Sequence, residues 1–178
     1  MTSKLELYSQ YQSEINTGDI VEFRGNSLVG KMIRAITKKD RNHSALILRL
    51  PFSDCIERRF IVEAVATGLE LHLLSGVLEK LNGAAWWSPL QATAEQRDRV
   101  AGWAMVQLAE NRGYDYGSLF RQAVARVSMD GRRYFCSEFV QAAMVQTKIV
   151  PVPQDGRALR PGEFDRLGCF GPPVLIYI

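Results

Sequence analysis

Between residues 17 and 74 the chain carries four short stretches, TGDIVEF, HSALILRL, RRFIVEAV and GLELHLL, that read as strands and commit this part of the molecule to a sheet. TGDIVEF alternates apolar and polar residues at period two, as a half-buried strand does, and Gly18 and Asp19 mark the turn into it. HSALILRL and RRFIVEAV are rich in branched residues and are separated only by a loop around Pro51, Phe52, Ser53 and Asp54. An antiparallel hairpin is the economical arrangement for such a pair. GLELHLL adds a third strand, and PVLIYI closes the chain as a buried one.

Helices fill the rest. Ser27 caps one through LVGKMIRAITKK, in which Leu28, Met32, Ile33 and Ile36 share a face opposite the cations. Thr93 followed by Gln96 is a capping-box pattern, opening a helix that turns Val100, Trp103, Ala104 and Leu108 inward, with Gly113 placed to stop it. A further helical stretch over 116–128 leads through the turn MDGRR to FCSEFVQAAMVQ, and the prolines of KIVPVPQDGRALRPGEF forbid regular helix or central strand there. The resulting order predicts an α+β fold, a small antiparallel sheet packed with helices. With 178 residues, 47% of them apolar, one core and a single domain over 1–178 are expected.

Several function classes drop out. The net charge of +3 is dispersed, with RNHSALILRL and IERRF the nearest thing to clusters, so no nucleic-acid partner is expected. The start, MTSKLELYSQYQSEINTGD, is polar and mixed in charge; with no apolar run of signal or membrane-spanning length, a cytoplasmic protein without a membrane span is expected. Three cysteines without a CxxC pair support neither a disulfide framework nor a zinc knuckle. Two histidines and scattered cysteines offer no ligand spacing, so neither metal nor other cofactor is expected.

The chemistry gathers on three residues. Cys136 shares a helical stripe with Phe139, Val140 and Ala143, and free cysteine is a common core filler. It also stands in the first turn, where unpaired N–H groups and the positive end of the helix dipole favour a thiolate and an oxyanion. His43 opens the strand HSALILRL with Ala45 and Ile47 on its face, whereas His72 shares a face with Glu70, opposite Leu71, Leu73 and Leu74, and is expected to meet solvent. With the hairpin centred near residues 51–56, paired positions sum to about 106 or 107, which sets Glu63 opposite or next to His43. Glu63 lies among Ile61, Val62, Ala64 and Val65, where a carboxylate needs a partner: Arg49, Arg58 or Arg59 in a structural ion pair, or an imidazole. A carboxylate orienting an imidazole that takes a proton from a thiol is the cysteine form of the nucleophile, base and orienter arrangement. Tyr114, Asp115 and Tyr116 read as packing or as pocket lining and receive no role.

GDIVEF, SLVGKMIRAIT, NHSALIL, IVEAV, YDYGSLF and YFCSEFV together resemble the circularly permuted branch of the NlpC/P60 papain-like cysteine hydrolases, the YiiX-like group. The ordinary family places the cysteine helix before the histidine strand; the order His43, Glu63, Cys136 is that of the permuted members, whose patterns run roughly GD, T then SH, VEA, YD and YCSE. The similarity spans about residues 17–145. It implies a circularly permuted papain-like fold, with Cys136 as nucleophile, His43 as general base and Glu63 as the orienting residue. It also implies hydrolysis of an amide bond in a small peptide, peptidoglycan fragment or lipid-like amide or ester. Asn42 stands where a serine is usual, and from Lys148 onward no functional match is found. The paired histidines and NCEHF-type segment of lecithin retinol acyltransferase and its relatives are not reproduced, which leaves a lipid acyl hydrolase or acyltransferase as the second reading. A catalytically silent papain-like binding module is the third.

Overall fold

The structure, a computed structural model, describes residues 5–26, 31, 34–35, 38–51, 57–65, 68–110, 135–153 and 159–178. Most of the helix expected over 28–39, the helical stretch expected over 116–128, the stop at Gly113, Cys55 and the group Tyr114, Asp115 and Tyr116 lie outside those residues.

A short helix α1 (Glu6–Tyr11) occupies the stretch that reads as a polar leader. Then come β1 (Ile20–Gly25), β2 (His43–Pro51), β3 (Glu57–Val65), β4 (Gly68–Leu73), α2 (Leu74–Lys80), β5 (Gly83–Ser88), α3 (Ala94–Ala109), α4 (Phe135–Gln146), a 3-10 turn (Phe164–Leu167) and β6 (Val174–Tyr177). The strands form one antiparallel sheet in the order β4-β3-β2-β1-β5-β6. It is larger than the small sheet expected, because GAAWWS is a strand that neither alternates nor carries β-branched residues. Backbone proximity accounts for its first residue: a Cβ on Gly83 would fall 1.7 Å from the carbonyl oxygen of Arg24 on β1.

The expected half-buried character of β1 is corrected by packing. Ile20, Val21, Glu22 and Phe23 are all buried, since helices cover both faces of the sheet. On one face Ile20, Leu46, Leu48 and Val62 meet Val100 and Ala104 of α3 and Phe139 and Val140 of α4. On the other, Val21, Ala45, Ile47 and Ile61 meet Tyr8 of α1 and Leu74 and Leu78 of α2. Each of these large side chains contributes about 1.5–3 kcal/mol by leaving water. The capping box at Thr93 is present as expected, and Val100 and Ala104 are buried, with Trp103 and Leu108 packed at the margin.

Two features place the strands that carry the site. Gly18 turns into β1 with φ +87, a conformation that suits glycine. The buried carboxylate of Asp19 then accepts from Asn16 N (2.8 Å), Trp87 Nε1 (2.8 Å), Leu90 N (2.9 Å) and Arg97 Nη1 (2.7 Å). It thereby joins the start of β1 to the end of β5 and the first turn of α3. The β2–β3 hairpin pairs Leu46↔Val62 through Pro51↔Glu57, so partners sum to 108 rather than 106 or 107. Its connection is residues 52–56, centred on position 54, and the shift matters for Glu63.

Among the described residues no helix is long and apolar enough to cross a membrane.

Candidate active site

Helix α4 is oriented by its apolar stripe: Cys136, Phe139, Val140 and Ala143 are all buried, which holds the cysteine on the inner side of the first turn. The helix lies across β2 and β3. Its N-terminal end arrives where these strands part, because their ladder stops at Leu46↔Val62. The N–H of Ser44, on the edge of β2 that the ladder uses at Leu46, hydrogen-bonds Cys136 Sγ instead, and the N–H of Ser137 donates to the same sulfur. Ser44 Oγ is buried without a hydrogen-bond partner among the described residues, and residue 44 serves the sulfur through its backbone.

His43 opens β2 and stacks on Phe23, its cross-strand partner on β1, with ring centroids 5.8 Å apart and planes inclined by 29°. Its Nε2 contacts Glu63 Oε2. That leaves Nδ1 for Cys136, to which His43 is also hydrogen-bonded. In the observed register Glu63 is not opposite His43. The same pairing carried one residue further sets it opposite Ala45, a diagonal neighbour of His43 on the same face, within reach of a long side chain. Of the arginines weighed as its partner, Arg59 turns away to the carbonyls of Ile15 (3.0 Å) and Ser13 (3.3 Å).

Opposing effects set the protonation states. Burial pushes the Cys136 thiol up, yet the charge and hydrogen bond of His43 and the N–H groups of Ser44 and Ser137 together hold it below its ordinary value. Burial likewise pushes the His43 imidazolium down, but the Cys136 charge and hydrogen bond, then those of Glu63, raise it from 6.5 to about 10. Both shifts favour a thiolate on Cys136 and an imidazolium on His43. Cys169 makes the contrast: buried without such company, its thiol is pushed up to about 11.

The structure therefore brings Cys136, His43 and Glu63 together. Cys136 is 8% exposed, and the His43 side chain 28% exposed, so the pair sits under the surface with the imidazole edge open. His72, read as structural or surface, meets solvent as expected and is also paired. Its side chain is 43% exposed, but Nε2 lies 2.8 Å from Glu70 Oε2 and 3.8 Å from Glu63 Oε1. The signal for this was the shared face of Glu70 and His72, which acquires meaning only once Glu63 pairs with Glu70 across β3 and β4. Leu71, expected on the buried side, is 39% exposed.

A second buried carboxylate lies nearby. Glu22, the cross-strand partner of Ser44, accepts from Arg41 (2.6 Å) and from the N–H of Gly162. Burial raises its pKa against the pull of Arg41 and Gly162. The Arg41 and Arg24 guanidiniums stand 5.0 and 5.4 Å from the ring centroid of Trp86. The segment after Lys148, silent in the sequence, thus reaches the strand beside the cysteine through Gly162.

No family model matches the chain, and no curated protein matches it. Among solved structures it is similar to the metalloprotein YiiX of Escherichia coli O157:H7, designated DUF1105, with a TM-score of 0.53 and 21% identity over 74% of this chain and 66% of YiiX. The chain spans just under two thirds of that neighbour's length, and at this identity the likeness is one of fold. The YiiX-like, mixed α+β architecture expected from the sequence is the one observed.

Proposed function

We propose that the protein is a cysteine hydrolase of circularly permuted papain-like type, cleaving an amide bond in a small peptide or peptidoglycan-type substrate. One observation carries the reading: a buried sulfur in the first turn of α4 is hydrogen-bonded to His43, whose far nitrogen meets Glu63. In the proposed cycle the Cys136 thiolate attacks the carbonyl carbon, and the oxyanion forms beside the N–H groups that open α4. His43 gives its proton to the leaving amine as the C–N bond breaks, leaving a thioester on Cys136. Neutral His43 then takes a proton from water, which attacks the thioester; the acid departs and the thiolate–imidazolium pair returns. Glu63 holds the imidazole in one orientation and stabilises its charged form. The same steps serve an ester, with an alcohol as leaving group, so a lipid-type acyl substrate stays the second reading.

YiiX is a metalloprotein. In this chain no group of three or more His, Cys, Asp or Glu among the described residues is arranged to hold a metal ion.

Iodoacetamide labelling at pH 7, followed residue by residue, tests the nucleophile. Cys136 is expected to react at least tenfold faster than Cys169, and His43→Ala to remove that advantage. A panel of amide and ester substrates then tests the reaction, with turnover lost in Cys136→Ser. Equal labelling of the two thiols would instead give the fold over to a silent binding role.

A further inference from the structure

Glu22 on β1 is 1% exposed and takes no part in the chemistry proposed above, yet several parts of the site meet at it. Its cross-strand partner on β2 is Ser44, whose N–H holds the Cys136 sulfur. Oε2 accepts from Nη1 of Arg41 (2.6 Å), a residue just ahead of His43, and Oε1 accepts from the N–H of Gly162. Gly162 belongs to a strap, residues 159–163, that also grips the cysteine helix: the N–H of Leu159 donates to Gln141 Oε1 on α4 (2.8 Å). Glu163 closes the strap on itself and on the segment before β2, accepting from Arg160 N (3.1 Å) and pairing with Lys39 (3.3 Å). A closed circuit results, from Cys136 along α4 to Gln141, through Leu159 and Gly162 to Glu22, and across to Ser44 and the sulfur.

We infer that Glu22 is a positioning residue of the site: by holding the strap at Gly162 it sets the distance at which α4 presents Cys136 to β2, where the Ser44 N–H and the His43 imidazole lie. The inference rests on the hydrolase reading and deepens it, since it assigns a further residue to the geometry of the same sulfur. Hydrogen bonds to an ionised acceptor are short and depend strongly on geometry. Slack between α4 and β2 therefore falls on the groups that make Cys136 acidic. A carboxylate is costly to bury, and burial does raise the pKa of Glu22 against the pull of Arg41 and Gly162, with Asp165 of the 3-10 turn acting in the same direction as burial. A residue kept there for packing alone would be served as well by an apolar side chain.

Alkylation of Cys136 by iodoacetamide is followed from pH 4 to 9 in two double variants that differ only at residue 22: Glu22→Gln with Arg41→Ala, and Glu22→Met with Arg41→Ala. Both are neutral at that position and nearly equal in length, and only glutamine offers Gly162 an oxygen. Arg41→Ala leaves no unpaired guanidinium and, at a side chain 18% exposed, lets water reach the amide. The ionisation limb of Cys136 is expected about one pH unit higher with Glu22→Met than with Glu22→Gln, roughly a tenfold slower reaction on that limb. A second pair strains the backbone of the strap itself. Gly162 stands at φ +85 and Gly168 at φ +67, where alanine is strained, and an added Cβ clashes at neither. Gly162 is the one bonded to Glu22. Gly162→Ala is expected to raise the limb and Gly168→Ala to leave it in place. The pair at residue 22 decides where both proteins melt cooperatively, and the glycine pair decides otherwise. Limbs that coincide within the deciding pair, or fall in the reverse order, overturn the inference while leaving an activated Cys136 intact. An ordinary thiol profile in the wild type overturns the hydrolase reading and this one with it.

Discussion

Cys136 and Cys169 are both buried, and burial alone makes a thiol inert. What separates them is the His43 imidazole and two backbone N–H groups at one sulfur, against a single backbone N–H, its own, at the other. The same reasoning grades the residues behind the sulfur. Glu63→Gln keeps the shape and a hydrogen-bonding oxygen but removes the anion that supports the His43 imidazolium. Alkylation of Cys136 at pH 6.5 is expected to slow by about tenfold, the equivalent of one unit in the thiol's ionisation. His43→Ala should slow it further, since charge and hydrogen bond go together; a Glu63→Gln variant as fast as wild type would reduce Glu63 to a structural partner.

At the scale of elements, the site depends on strands being pinned at places remote from it. β1 carries Phe23, against which His43 stacks, and its entry is held by Asp19, whose carboxylate is 1% exposed with four donors upon it. Asp19→Ala leaves the indole N–H, two backbone N–H groups and the Arg97 guanidinium without their acceptor, and is expected to lower the unfolding free energy by about 3 kcal/mol or more. Thr93→Ala removes one exposed capping bond from α3 and is expected to cost about 1 kcal/mol. Urea titration of both variants checks the ranking, and the reverse order would mean that Asp19 is not the hub it resembles. The fork between β2 and β3 is the other structural device. A ladder continued past Leu46↔Val62 would occupy the edge of β2 whose Ser44 N–H now faces the sulfur.

For the whole molecule the coupled pair predicts a loss of stability at high pH. In the folded state, between the lowered Cys136 and the raised His43, the pair holds one proton, on the imidazole. Above 9.0 the unfolded thiol loses its proton while folded His43 keeps its own to about 10, so stability falls with rising pH there. The difference in unfolding free energy between wild type and Cys136→Ser, measured at pH 7.5 and 10, should be smaller at 10. By itself the sequence determined the strands at Ile20, His43, Glu57 and Gly68, the capped helix after Thr93 and the inward face of Cys136, because periodicity and capping are local and survive without knowledge of the partner. Tertiary structure alone decided the burial of Glu22, the strand GAAWWS, the diagonal reach of Glu63 to His43 and the place of His72. Each of these follows from which strand lies beside which and in what register, and a shift of one residue across a sheet changes the face on which every side chain stands.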